Sequence, residues 1–182
     1  MTSYCDYLRA HPEDALNKAY HDTQYGFPLT NDAALFERLM LEINQAGLSW
    51  TLILRRAPEL HRAYDGFDVD TIAAYTDADR ARLLADAGII RNRRKVEAAI
   101  ENARRIQQLR GEYGSFKGWL DAHHPRPLEA WMRLFKQTFV FTGPEIVKEF
   151  LVSIGYLPGA HDPDCPVYAA IARLNPPWMR RG

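Results

Sequence analysis

Four residues near the two ends of the sequence carry metal-ligand chemistry. Cys5 and His21 lie towards the start, and His161 and Cys165 lie towards the end within HDPDC. Two thiolates and two imidazoles make a closed tetrahedral set of the kind that holds structural zinc, with no open position for a reacting water. Such an ion would tie the two ends together. The pattern contains no CxxC pair, and two unrelated buried cysteines fit it equally well. A disulfide between these two cysteines, the only ones in the chain, is not expected in a reducing compartment.

A second chemistry centres on Glu42. Leu35, Phe36, Leu39, Met40, Ile43 and Ala46 recur at helical spacing, and Glu42 falls beside Leu35, Leu39 and Ala46 at the border of that stripe. A carboxylate there either reaches water or an arginine, or it faces a pocket. Gln45, Ser49 and Trp50 follow at once and would furnish a pocket with hydrogen-bonding and stacking groups. Tyr4, Tyr7, Tyr20 and Tyr25 add aromatic faces. Such faces pack a core, or sandwich a planar base taken out of its stack.

The third chemistry is charge. The formal net charge is zero, which excludes a protein that coats nucleic acid indiscriminately. That zero is an average: residues 1–50 hold 3 basic and 7 acidic side chains, while residues 91–136 hold 11 basic and 5 acidic. The basic middle is centred on Arg91, Arg93, Arg94, Lys95, Arg104 and Arg105. It is either a solvated helix face or a surface for phosphates. Two segments have helix-turn-helix character, DAGIIRNRRKVEAAIENA and LFKQTFVFTGPEIVKEFLVSIG. In the second, Lys136, Thr138, Thr142 and Gly143 surround the turn, and Gly143 precedes a helix start whose amides can point at a phosphate. A hairpin of this sort grips the DNA backbone without reading sequence. An ordinary helical corner carries the same pattern.

The elements that must position these groups are helical. With 182 residues, 47% apolar and 12% aromatic, the chain can bury a core as one domain or two small lobes, and disorder is excluded. Thr30 or Asn31 caps the stripe around Glu42 and Gly47 ends it. Thr76 and Asp79 form a capping box for a helix carrying Leu83, Leu84 and Ala87, with Gly88 as terminator. A longer helix spans about Asn92 to Arg110, with Val96, Ala99, Ile100 and Ala103 inward and the arginines outward. Pro144 opens another, closed by Gly155. Shorter pieces are expected near 50–56, 58–64, 69–75, 115–122, 128–135 and 166–173. Only 138–143 reads like a strand, and without a partner it becomes a tight connection between helices. The expectation is therefore an all-α domain. No stretch approaches the roughly 18 apolar residues of a membrane span, and MTSYCDYLRAHPED lacks the features of a signal peptide. A cytoplasmic protein is expected.

Taken together, Cys5, YHDTQYG (20–26), LFERLMLEINQAGLSW (35–50), LLADAGIIRNRRKVEAAIENA (83–103), FVFTG (139–143) and HDPDC (161–165) resemble the DNA 3-methyladenine glycosylase I family of the helix-hairpin-helix superfamily. The segments occur in family order across nearly the whole chain. The resemblance implies zinc on Cys5, His21, His161 and Cys165. It makes Glu42 the base-contacting glutamate, Trp50 the stacking tryptophan and Tyr20 a pocket tyrosine, and TFVFTGPE the DNA-binding hairpin. Superfamily relatives usually add an aspartate just after the hairpin helix; Asp162 and Asp164 are the candidates here, and neither can be assigned. The chain also departs from the family pattern. Tyr7 and Tyr25 stand where tryptophans are usual, Gln24 replaces a glutamate, and Ile43 and Asn44 replace a glycine and a glutamine.

The implied protein is a single domain over residues 1–182, with two helical lobes and the base pocket between them. Its activity would be monofunctional hydrolysis of the N-glycosidic bond of 3-methyladenine in alkylated double-stranded DNA, by a monomer. Glu42 would be the catalytic residue. Tyr7, Tyr20, Tyr25, Gln45, Ser49 and Trp50 would bind the base, and Arg91, Arg94, Lys136, Thr138, Thr142 and Gly143 the DNA. No lysine stands out in the pocket motifs as a Schiff-base nucleophile, so strand cleavage is not expected. The alternatives are a related enzyme for a different alkylated purine and a lesion-binding module that has lost excision.

Overall fold

The stripe at 35–43 builds the centre of the protein. In a computed structural model describing residues 3–180, Leu35, Phe36, Leu39, Met40 and Ile43 are fully buried on one helix, α3 (Asp32–Gln45). Asn31 caps it by accepting from the Ala34 amide at 2.8 Å. Residues 1, 2, 181 and 182 of the expected domain lie outside the described residues.

Two short helices precede it, α1 (Tyr4–Ala10) and α2 (Ala15–Thr23), and α4 (Trp50–Ala63) follows. Then come α5 (Val69–Ala73), α6 (Asp77–Ala85), α7 (Arg93–Tyr113) and α8 (Phe116–His123). The chain continues through α9 (Leu128–Thr138), α10 (Pro144–Ser153) and α11 (Pro166–Arg173), with 3₁₀ turns at Asp65–Phe67 and Pro177–Met179. Among the described residues no strand forms, and residues 139–143 connect α9 to α10 as expected. No described helix is long and apolar enough to cross a membrane. Helix α3 packs against α4, α5, α7, α8 and α10, and Phe116, Trp119, Trp131, Phe135, Phe139 and Phe150 extend the core beyond it.

Three local expectations change. The pieces at 50–56 and 58–64 fuse into α4, because burying Ile53, Leu54, Leu60 and Ala63 outweighs the one backbone hydrogen bond that Pro58 cannot make. Helices α1 and α2 lie outside the expected elements; both are short, and caps hold their starts. Ser3 and Asp6 form a capping box on α1, and Asp14 caps α2. Lys95 does not join the outward basic face. It is buried, and its Nζ donates to the carbonyls of Asn44 (2.7 Å) and Ala46 (2.8 Å) at the C-terminal end of α3. A cation suits that end, where helix carbonyls lack partners.

Two glycines cinch the N-terminal segment to the end of α10. The Gly26 amide donates to the Ser153 carbonyl at 2.8 Å, its φ is +83°, and a Cβ there would stand 2.7 Å from the Ala160 Cβ. Gly155, with φ +77°, closes α10 where a Cβ would lie 3.2 Å from the Gly26 carbonyl oxygen.

Candidate active site and metal centre

Glu42 ends its burial at a cavity of about 580 Å³ between the N-terminal helices, α4 and α10. Tyr4, Tyr7, Tyr20, Tyr25 and Trp50 supply its aromatic walls, with Gln45 and Glu149 among its polar groups. The rings of Tyr20 and Trp50 meet edge to face at 5.1 Å, and Tyr4 stands edge-on to Tyr25 at 5.3 Å. Tyr7 donates to Asp14 at 2.8 Å and Tyr25 to Glu149 at 3.2 Å. The Tyr20 hydroxyl is buried and has no partner, which leaves a polar atom available to a ligand. Ser49 is exposed and does not line this cavity; its hydroxyl caps α4 through the Leu52 amide. The serine after QAGL thus reads as a helix start.

Glu42 is 3% exposed. Burial, with the nearby Glu149 carboxylate adding to it, pushes its pKa up to about 8, against the opposing pull of Arg38. Arg38 is itself buried, donating to the Ser153 carbonyl at 3.1 Å with its guanidinium 5.2 Å from the Tyr20 ring centroid. The pocket therefore holds a carboxyl without a full counter-charge beside aromatic faces, so a cation brought next to it would stabilise its ionised form.

A second hollow of about 480 Å³ adjoins the first and shares Glu42, Gln45 and Glu149 with it. Its other walls are residues 46–48 and the start of α10, Gly143 to Ile146. Leu48 projects there, 37% exposed and one of three large apolar side chains left open among the described residues.

The turn at 139–143 is held from α7. Buried Asn102 donates to the Val140 carbonyl (3.1 Å) and accepts from its amide (2.9 Å), and the Thr142 hydroxyl donates to the Phe135 carbonyl at 3.2 Å. These contacts keep Phe141 at φ +61°, an unfavourable backbone state for a bulky residue. The Arg94 guanidinium lies 5.5 Å from the Phe141 ring, so the basic start of α7 and the turn form one surface. Arg91, Arg93 and Arg94 are exposed, and no ion pair engages them among the described residues. Arg104 and Arg105 are occupied, by the Ala73 carbonyl and Glu101. Lys136 and Gly143 are exposed and Thr138 is half-buried around the same turn. Arg91 is not drawn into the hollow that Arg93, Arg94, Arg104 and Phe141 line.

Cys5, His21, His161 and Cys165 meet as a buried cluster with all ligand atoms within 4.8 Å of one another. The sulfur-to-nitrogen distances are 3.3, 3.8, 3.9 and 3.6 Å, against roughly 3.6 Å for the edges of a zinc tetrahedron. The outer ring nitrogens fix the tautomers: His21 Nδ1 donates to Asp22 and His161 Nε2 to the Tyr25 carbonyl, each at 2.7 Å. The inner nitrogens thus face the sulfurs with free lone pairs, as metal-binding imidazoles do. Ser3 bonds Asp162 at 2.8 Å, and Arg9 reaches Asp162 and Asp164. These contacts engage both aspartates, neither of which lines the cavity.

Sequence reasoning missed Glu149 and Lys148, which both line the cavity. In EIVKEFLVSIG they read as an ordinary solvated helix face. The signal available was that each lies within one turn of the apolar residues that pack α10 on α3.

An aromatic cavity with a buried carboxyl thus lies beside a basic turn, and the sequence matches the methyladenine glycosylase family over residues 10–130. The chain belongs to that family. DNA-3-methyladenine glycosylase of Haemophilus influenzae is 31% identical over 185 aligned positions, covering 91% of this chain and 98% of the relative. DNA-3-methyladenine glycosylase 1 of Escherichia coli is 43% identical over 97 residues, about half of each chain. The solved structure of 3-methyladenine DNA glycosylase I from Staphylococcus aureus, described for its recognition of 3-methyladenine, superposes with a TM-score of 0.78 at 31% identity. That match covers 85% of this chain and 92% of the other. The methyladenine glycosylase fold therefore extends through the basic turn and α10, beyond the family match.

Proposed function

We infer that this protein is a monofunctional DNA glycosylase that releases 3-methyladenine from alkylated double-stranded DNA. The observation that carries the reading is the buried Glu42 facing an aromatic cavity beside the unpartnered Tyr20 hydroxyl, in a chain whose relatives bear that activity in their names.

Methylation at N3 makes the adenine cationic, so the base departs neutral and needs no strong general acid. Glu42 attracts the charge and accepts hydrogen bonds from the edge of the base. Trp50 and the tyrosines stack on it and add cation–π attraction. Tyr20 offers its free hydroxyl, and Gln45 a side-chain amide. Residues 138–143 and the first turn of α10 act as a helix-hairpin-helix that holds phosphates, with Arg91, Arg94 and Lys136 supplying charge. Leu48 fills the gap that the extruded nucleotide leaves in the duplex.

Zinc on Cys5, His21, His161 and Cys165 is structural in this reading, because the four ligands close the set. It supplies no chemistry to the base; it fixes Tyr25 and the N-terminal wall through the second hydrogen bond of His161. The protein works as a monomer in a reducing, cytoplasmic compartment, where both thiols stay available to the metal.

The test is a profile of the bases released from methylated duplex DNA by purified protein, with strand cleavage followed in parallel because Lys148 lines the cavity. Free 3-methyladenine and intact abasic strands are expected. Release of another purine alone would move the substrate, tight binding without release would favour a recognition module, and nicked strands would overturn the monofunctional assignment.

A further inference from the structure

Two adjoining hollows meet at only three residues. Glu42 and Gln45 come from α3; the third, Glu149, comes from α10. The base cavity lies on one side of Glu149 and the start of α10 on the other. Gly143 is six residues before Glu149, which is about 9 Å along a helix. A nucleotide with its base among the tyrosines and a phosphate at the start of α10 must pass its sugar between them, where Glu149 stands. Tyr25 donates to Glu149 Oε2 at 3.2 Å, and Oε1 has no partner among the described residues. One oxygen is thus oriented and the other is free.

We propose that Glu149 is a second catalytic carboxylate, which faces the sugar and activates the attacking water while Glu42 holds the base. This rests on the glycosylase reading above. The C1′–N9 bond breaks with its electron pair leaving on N9, which neutralises the cationic purine and places the positive charge on C1′ and the ring oxygen. A water oxygen then bonds to C1′, its proton passes to Glu149 Oε1, and that proton is lost to solvent. No further reactant is needed. Oxocarbenium chemistry commonly uses a carboxylate in this way, one group serving the leaving side and another the water. The raised proton affinity of Glu42 is consistent with a neighbouring carboxylate close enough to be felt across the cavity. Asp162 and Asp164 cannot take the role from where they lie, since Ser3 and Arg9 occupy them.

The experiment compares parent, Glu149→Gln and Glu149→Ala in single-turnover release of 3-methyladenine from methylated duplex DNA. Binding of free 3-methyladenine, read by quenching of tryptophan fluorescence, is measured on the same samples as a check on fold and pocket. The expected result is a single-turnover rate lowered about 100-fold in both variants, with binding of the free base within a factor of three. Added formate should restore part of the Glu149→Ala rate. Parent-like rates in both variants, with binding intact, would overturn the role of Glu149 and leave the glycosylase reading standing. Equal loss of rate and of base binding would make Glu149 a pocket residue and equally overturn the proposal. Absence of release from the parent would overturn the glycosylase reading, and this role with it.

Discussion

Glu42 carries a stability cost that can be measured. Its carboxyl is raised from 4.5 to about 8 in the fold, so the folded state prefers the protonated form. That contribution is fully present below pH 4.5 and is lost as pH rises through 8. The shift corresponds to on the order of 5 kcal/mol between the two limits. Glu42→Gln, which stays neutral, should be the more stable protein at pH 9 and should lose that advantage at pH 4. Thermal melts of both proteins across this range check it, and parallel pH dependence would contradict the burial argument. The same residue shows what the sequence disclosed. Its place at the edge of the apolar stripe marked it as unusual, but the choice between a boundary glutamate and a pocket glutamate depended on α10 and the N-terminal helices, which lie far from it in sequence.

Among the elements, α7 and the turn at 139–143 behave as one piece because Asn102 takes both backbone groups of Val140. Asn102→Ala should cost about 1–3 kcal/mol, since it strands a buried amide and carbonyl. It should also weaken binding to undamaged DNA while leaving binding of free 3-methyladenine close to the parent value. Equilibrium unfolding and DNA titration test the two halves separately; unaltered DNA affinity would detach the turn from phosphate recognition. Periodicity disclosed α3, α7 and α10 well, since each carries a clear apolar stripe. It failed for Lys95, where the basic run RNRRK concealed a cation turned inward to the end of α3. It also failed for α1 and α2, which are short: caps start them, α2 packs on α1 and α4, and Ser3 and His21 reach Asp162 and Cys165.

Across the whole molecule, neutral net charge separates into an acidic beginning and a basic surface at the start of α7. Affinity for undamaged duplex should therefore fall with salt at a slope set by a few contacts, roughly −0.9 per phosphate neutralised. Arg91→Ala and Arg94→Ala should each reduce that slope by about one, and an unchanged slope would remove the residue concerned from the footprint. The proposed metal site belongs to the same scale. Purified protein should hold about one zinc per chain, and chelation should lower its melting temperature, because the ion's binding energy is coupled to folding. Less than half an equivalent, with all four ligands intact, would count against the assignment.

The contact between the Tyr25 carbonyl and His161, with Ser3 and Arg9 tied to residues 162 and 164, sets the pocket's aromatic wall and its fastening far apart in the order of synthesis. During translation, Tyr4, Tyr7, Tyr20 and Tyr25 emerge more than 130 residues before His161, which secures that wall. The cavity is thus completed only after α7 and α10 have been made, and its N-terminal wall stays unfastened until residues 161–165 appear.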